Sequence, residues 1–337
     1  MPSTAAYDPT GVEYFDIPNF RFQDGTVVPN ARLAYRSFNP SSPLKALIPT
    51  CYGGRINTTL NFTTGALRNH NVIVVALFGN GESSSPSNTD NFPQSLSYQD
   101  CVQAQYLLLT NHLKIQSLDA VIGFSMGGQT TYHWAVMYPA FMRSAIPICT
   151  SARTSLHNRQ FLEGPKAALK NSIDYADGSY RSKGITPYRG LHAFGRAYSA
   201  WLFSHEWFES RIFETQLGFS SLEDYTIADA EKGYDTWDPE NLLIMAEMWQ
   251  NGDITKINND SSLEESLSSI KSRVLLMPGR TDQYFRVEAS EKEMKSLRNA
   301  EWAPIESIWG HAAGGGSNEA DTKWMDGRIE AFLKAGE

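Results

Sequence analysis

The stretch that most constrains this chain is Asp119-Ala-Val-Ile-Gly-Phe-Ser-Met-Gly-Gly-Gln-Thr-Thr-Tyr-His-Trp-Ala-Val-Met-Tyr-Pro139. Ala120-Val121-Ile122 is short and apolar enough for a buried central strand. Gly123-Phe124-Ser125-Met126-Gly127 follows, and then about three turns of helix that Pro139 closes. A strand, a G-x-S-x-G turn and a helix place a serine hydroxyl above a sheet edge, on a sharp turn. Glycine two residues before and after that serine is required because the strained turn leaves no room for a Cβ. The helix start aims free N–H groups and a partial positive charge at the same spot, which suits a developing oxyanion.

The rest of the chain supplies partners for that serine. Arg273-Val-Leu-Leu-Met-Pro-Gly-Arg-Thr-Asp282 reads as a strand whose following loop carries an aspartate, and Pro304–Trp309 reads as a strand that delivers Gly310-His311. Ser125, Asp282 and His311 thus occur in the order Ser, Asp, His, each just beyond a strand. A serine hydroxyl is a poor nucleophile at neutral pH, so an imidazole must take its proton and return it later. The carboxylate would hold the imidazole tautomer and stabilise the imidazolium. The competing readings are a turn aspartate capping the next helix and a surface histidine; the joint order favours the catalytic set. A second turn, Tyr52-Gly53-Gly54 after the strand Ala46–Cys51, is placed to offer oxyanion N–H groups together with Met126. His133, inside the helix after the serine, reads as a packing residue, and Glu82 and Asp90 read as solvated loop charges near the pocket.

Organisation follows from hydrophobic periodicity. Residues 12–38 suggest a hairpin around Asp24-Gly25 and a further strand from Ala31. Asn71–Phe78 is apolar throughout and so central, and the long polar loop 79–93 requires a reason. From Ser97 the pattern is helical, and Arg143–Cys149 is the next strand. Strands alternating with helices predict an α/β fold with a mostly parallel sheet flanked by helices. Between about 155 and 270 strand signals vanish and aromatic-rich helices take over. The expected organisation is a core built from two stretches, residues 1–154 and residues 271–337, with a helical lid of residues 155–270 inserted between them. Most lid aromatics should pack helix on helix, with a few lining a substrate pocket.

Composition bounds what such a fold can do. The 337 residues carry 41% hydrophobic and 20% charged residues and a net charge of −8. These are globular values, with no basic patch for nucleic acid. No apolar run of 18 residues exists to span a membrane, and Met1–Asp8 has neither the basic nor the apolar region of a signal peptide. Three widely spaced cysteines, Cys51, Cys101 and Cys149, suit reduced thiols and a cytoplasmic location. No Cys or His pair has ligand spacing, so neither a metal nor a cofactor is expected.

The runs Gly123-Phe-Ser-Met-Gly-Gly-Gln, His133-Trp-Ala-Val-Met-Tyr-Pro, Cys149-Thr-Ser-Ala-Arg153, Gly233-Tyr-Asp-Thr-Trp-Asp, Asp282-Gln-Tyr-Phe and Gly310-His311 resemble the homoserine O-acetyltransferase-like branch of the α/β-hydrolases over nearly the whole chain. The resemblance implies the α/β-hydrolase fold, a triad of Ser125, Asp282 and His311, oxyanion N–H groups from Tyr52, Gly53 and Met126, a helical lid, and a homodimer as in many family members. The chain departs from the transferases at Ala312, where they carry an aspartate that holds the homoserine amino group, and at Gln129, usually methionine. Loss of that carboxylate removes the charge partner an amino-acid substrate needs. The expected activity is therefore hydrolysis of a carboxylic ester or lactone of a mid-sized, fairly apolar small molecule through an acyl-Ser125 intermediate. The alternatives are O-acyl transfer from acetyl-CoA or another donor to an alcohol other than homoserine, and, in a different class, a lyase, cyclase or binding protein using the pocket alone.

Overall fold

The computed structural model describes residues 7–258 and 260–336; of Met1–Asp8, the stretch up to residue 6 lies outside them. Eight strands form one sheet: β1 (Glu13–Arg21), β2 (Val27–Phe38), β3 (Lys45–Pro49), β4 (Asn71–Val75), β5 (Leu118–Phe124), β6 (Met142–Ile148), β7 (Arg273–Leu276) and β8 (Ala300–Trp302). Their spatial order is β1-β2-β4-β3-β5-β6-β7-β8. β1 and β2 form an antiparallel hairpin and β2 runs antiparallel to β4, while every pairing from β4 to β8 is parallel. The central strands β3 to β6 are buried along nearly their whole length, as expected for a sheet covered on both faces. From β3 the chain crosses to β4 on one side, whereas from β5 it proceeds to β6 on the other. Connections that diverge in this way leave a crevice outside the C-terminal ends of β3 and β5.

The helices α1 (Tyr98–Leu107) and α2 (Met126–Met137) precede and follow β5. α1 begins with a capping box in which the Ser97 hydroxyl accepts from the Asp100 N–H and the Asp100 carboxylate accepts from the Ser97 N–H. The connection from β6 to β7 carries α3 (Leu156–Lys170), α4 (Tyr188–Ser199), α5 (His205–Glu209), α6 (Ile212–Thr215), α7 (Leu222–Tyr225), α8 (Pro239–Gln250) and α9 (Leu263–Ser268), with short 3-10 and π turns between them. α10 (Val287–Met294) and α11 (Glu319–Lys334) complete the chain.

Three expectations change. The strands suggested before and after Ala31 are one continuous strand, β2. The strand expected at 304–309 is only Ala300–Trp302, with a single further bridge between Ile305 and Gly279. Pro278 and Pro304 lack the N–H that a regular ladder needs, so pairing survives as isolated bonds such as Ala303 N–H to the Leu276 carbonyl (2.9 Å). Glu82 is buried at 5% exposure, not solvated. Its Oε2 accepts from the Ile56 N–H (2.9 Å) and from Asn80 Nδ2 (3.0 Å), and burial pushes its carboxyl above the usual range. Asp90 is exposed, and both residues border a surface recess with Tyr14 and Arg32.

The polar loop 79–93 has a structural reason. Beyond the end of β4, the Ser83 Oγ accepts from the Ala34 N–H (2.9 Å) and the Ser84 Oγ from the Arg32 N–H (2.9 Å). The Ser84 N–H donates to the Arg32 carbonyl (2.8 Å). The loop thus satisfies β2 backbone groups where β4 has run out.

Candidate active site

Ser125 follows β5 immediately and has φ 57° and ψ −122°, a conformation a non-glycine residue adopts at a cost of about 1–3 kcal/mol. Four bonds hold it there. Its N–H donates to the Ile148 carbonyl (2.9 Å). Its carbonyl accepts from the Gly128 N–H (2.9 Å), the Gln129 N–H (3.0 Å) and the Thr150 hydroxyl (2.8 Å). A Cβ on Gly123 would collide with the Gly127 carbonyl, and one on Gly127 would stand 2.6 Å from the Pro49 carbonyl oxygen. The two glycines therefore let the head of α2 lie against the ends of β5 and β3 at once.

Asp282 lies in the turn after β7 and His311 in a 3-10 turn at Gly310–Gly315. Both are buried, at 1% and 3% exposure. The Asp282 Oδ1 accepts from the N–H groups of Tyr284 (2.7 Å) and Phe285 (3.0 Å), and its Oδ2 lies 2.7 Å from His311 Nδ1. With Nδ1 facing a carboxylate, the tautomer with the proton on Nδ1 leaves Nε2 as a base. The ring packs against Phe124 (centroids 4.6 Å apart), Tyr284 (4.8 Å) and Phe285 (5.7 Å). Its backbone is tied as well, since the His311 N–H donates to the Leu202 carbonyl (2.9 Å).

Ser125 and His311 line one cavity. Among the described residues the His311 ring has its hydrogen bond to Asp282 and none to the Ser125 hydroxyl. Tyr52 and Gly53 line the same cavity, and Met126 opens α2, where backbone N–H groups have no carbonyl one turn back. The Tyr52 hydroxyl donates to the Leu242 carbonyl (3.0 Å) and its ring stacks on Tyr198 (5.5 Å), which ties the turn after β3 to α8 and α4. Ala312 also borders the cavity.

Of the aromatics noted between 155 and 270, Tyr198 and Tyr234 line the cavity, whereas Phe203 and Trp207 stack on each other at 3.8 Å as helix packing. His133 is buried with its Nδ1 bonded to the Gln129 carbonyl (2.7 Å), and burial lowers its pKa to about 4. Sequence reasoning did not single out Thr150, which braces the serine, nor Tyr225 and Asp229, which line the cavity. Nothing in their local pattern marks them; they matter through contacts made across the fold. Cys51, Cys101 and Cys149 are free thiols. Among the described residues no group of three or more His, Cys, Asp or Glu side chains could hold a metal ion, and no helix is long and apolar enough to cross a membrane.

Residues 52–183 match the family model described as the alpha/beta hydrolase fold. Over 336 residues the chain is 31% identical to an ethyl acetate hydrolase of Pseudomonas veronii, covering 96% of this chain and 95% of that protein. A homoserine O-acetyltransferase of Methanosphaera stadtmanae is 27% identical over 232 residues, covering 65% of this chain and 46% of the relative. Among solved structures, the acetyl esterase MekB superposes with a TM-score of 0.90 at 31% identity, with 96% of each chain covered.

Proposed function

The chain is an enzyme of the α/β-hydrolase family, in the branch that includes the homoserine O-acyltransferases, and we propose that it hydrolyses a small-molecule carboxylic ester through an acyl-Ser125 intermediate. The observation that carries the reading is the 2.7 Å contact of Asp282 with His311, whose ring lines the same cavity as Ser125. Ser125 attacks the ester carbonyl while His311 Nε2 takes its proton. Asp282 holds the imidazole and stabilises the imidazolium. The N–H groups of Tyr52 or Gly53 and of Met126 receive the oxyanion. His311 then returns the proton to the leaving alcohol, and water repeats the sequence to release the acid. Residues 155–270 act as the lid over this reaction.

One observation weighs against an amino-acid acceptor, and another bears on the acyl group. Among the described residues that border the cavity there is no lysine or arginine to pair with the carboxylate of an amino-acid acceptor. The full-length likeness to an ethyl acetate hydrolase, and the structural likeness to an acetyl esterase, favour a short acyl group such as acetyl.

The test is a fluorophosphonate probe mapped by mass spectrometry, followed by acetate esters assayed with and without added alcohols. Modification at Ser125 and free acid as the main product support hydrolysis. An ester of the added alcohol as the main product would make the enzyme a transferase. Full turnover by Ser125→Ala would remove the nucleophile assignment.

A further inference from the structure

In the wall of the cavity that Ser125 and His311 line, residues of the long connection between β6 and β7 present polar groups that have no partner among the described residues. Tyr225, at the end of α7, and Tyr234, just before α8, both line the cavity and are 1% and 2% exposed. Each hydroxyl is buried and without a hydrogen-bond partner. Leaving such a group unpaired costs about 1–3 kcal/mol, so two in one wall require an explanation. Asp229 lies between them in sequence and borders the same cavity. Its carboxylate has no hydrogen bond among the described residues, and burial pushes its pKa upward. Burial raises the pKa of both tyrosines, and the charge of Asp229 adds to the rise in each. The segment is also fixed in place: Gly195 of α4 packs so tightly on the Ala230 carbonyl that a Cβ there would collide with it.

We propose that Tyr225, Asp229 and Tyr234 form a subsite for a free hydroxyl on the alcohol portion of the ester. The proposal rests on Ser125 and His311 acting as described above. A hydroxyl fits the three groups because it donates and accepts at once: its proton goes to Asp229 while its oxygen receives a tyrosine proton. A primary ammonium has only donors, so it would leave the tyrosine protons unmatched. The alcohol portion is favoured over the acyl portion by where His311 sits. The leaving oxygen takes its proton from that ring, and the His311 turn packs on the lid through Leu202, while Phe203 touches both Trp309 (5.9 Å) and Tyr225 (6.3 Å). A leaving group attached to that oxygen extends toward the Tyr225 wall.

The experiment compares 2-hydroxyethyl acetate with propyl acetate, which differ by a hydroxyl in place of a methyl. The wild-type kcat/KM should favour the hydroxyl ester by roughly 10- to 100-fold, the range for one or two buried hydrogen bonds that include a carboxylate. Asp229→Asn, Tyr225→Phe and Tyr234→Phe should each move that ratio toward one. Binding of both esters to the Ser125→Ala protein, followed by ligand-observed NMR, reads the subsite without turnover. Equal or better use and binding of propyl acetate by the unmodified lid overturns the subsite while leaving ester hydrolysis intact. Hydrolysis of neither ester by the wild type, with the hydroxyl ester still bound preferentially to Ser125→Ala and that preference lost in the lid variants, overturns the hydrolase reading and retains the subsite.

Discussion

Asp282 Oδ2 and His311 Nδ1 stand 2.7 Å apart, while the other oxygen of the same carboxylate accepts the N–H groups of Tyr284 and Phe285. One oxygen fixes the turn and the other fixes the ring. Asp282→Asn keeps an oxygen for the turn but loses the charge and can present an N–H to the ring, which favours the wrong tautomer. We expect kcat to fall by about four orders of magnitude, as when an orienting carboxylate is replaced in a Ser-His-Asp site, with a melting temperature close to wild type. Steady-state kinetics and calorimetry on the same preparation check this.

The glycine before the serine has no room for a side chain, because a Cβ on Gly123 would meet the Gly127 carbonyl. Gly123→Ala should reduce activity at least tenfold and destabilise the fold by about 1–3 kcal/mol. Gly164, exposed in the middle of α3 with nothing within 4 Å of a Cβ, is the control. Gly164→Ala should stabilise by up to about 1 kcal/mol, as read by urea denaturation.

Thr150 donates from its hydroxyl to the Ser125 carbonyl at 2.8 Å and is fully buried. Thr150→Val keeps the shape and removes the bond. The expected loss is about 1–2 kcal/mol of stability, with kcat lowered more than KM is raised, because the strained serine is less firmly positioned.

Glu293 on α10 is buried, accepts from the Ala152 N–H (2.8 Å) and the Tyr132 hydroxyl (2.9 Å), and is pushed by burial from 4.5 up to about 7. The folded protein therefore holds a proton that the unfolded chain has released, and stability falls as pH rises from about 4.5 to 7. At about 1.4 kcal/mol per pH unit the full effect is about 3 kcal/mol. His133 acts with the opposite sign: its pKa falls from 6.5 to about 4, so the unfolded chain takes up the proton first and stability is lost as pH falls through that interval. Glu293→Gln should remove the fall with rising pH. Relative to wild type it should gain stability from about pH 4.5 to 7 and level off above that, measured by chemical denaturation at each pH; parallel curves would remove Glu293 as the titrating group.

Much of this arrangement was legible in the sequence. The strand around Val121, the turn at Ser125 and the order of Ser125, Asp282 and His311 are local patterns with a fixed physical meaning, and the fold follows from the alternation around them. What was not legible depends on contacts between distant segments. Glu82 looked like a loop charge, because nothing in its own stretch reveals that the Ile56 N–H comes to meet it. The strand before His311 was misplaced because an apolar run predicts extension but not the loss of pairing at Pro278 and Pro304. Tyr225 and Asp229 carry no signal at all, since their meaning lies in a cavity wall that exists only once the long connection between β6 and β7 has folded.

The His311 ring is packed by three aromatic neighbours, Phe124, Tyr284 and Phe285, and held by Asp282. In the proposed reaction the same nitrogen serves both halves of a turnover. An incoming water is activated there where the outgoing alcohol stood, so the alcohol has to depart first. A slow-leaving alcohol would hold the acyl group on the enzyme, and under those conditions release, not bond cleavage, would set the pace.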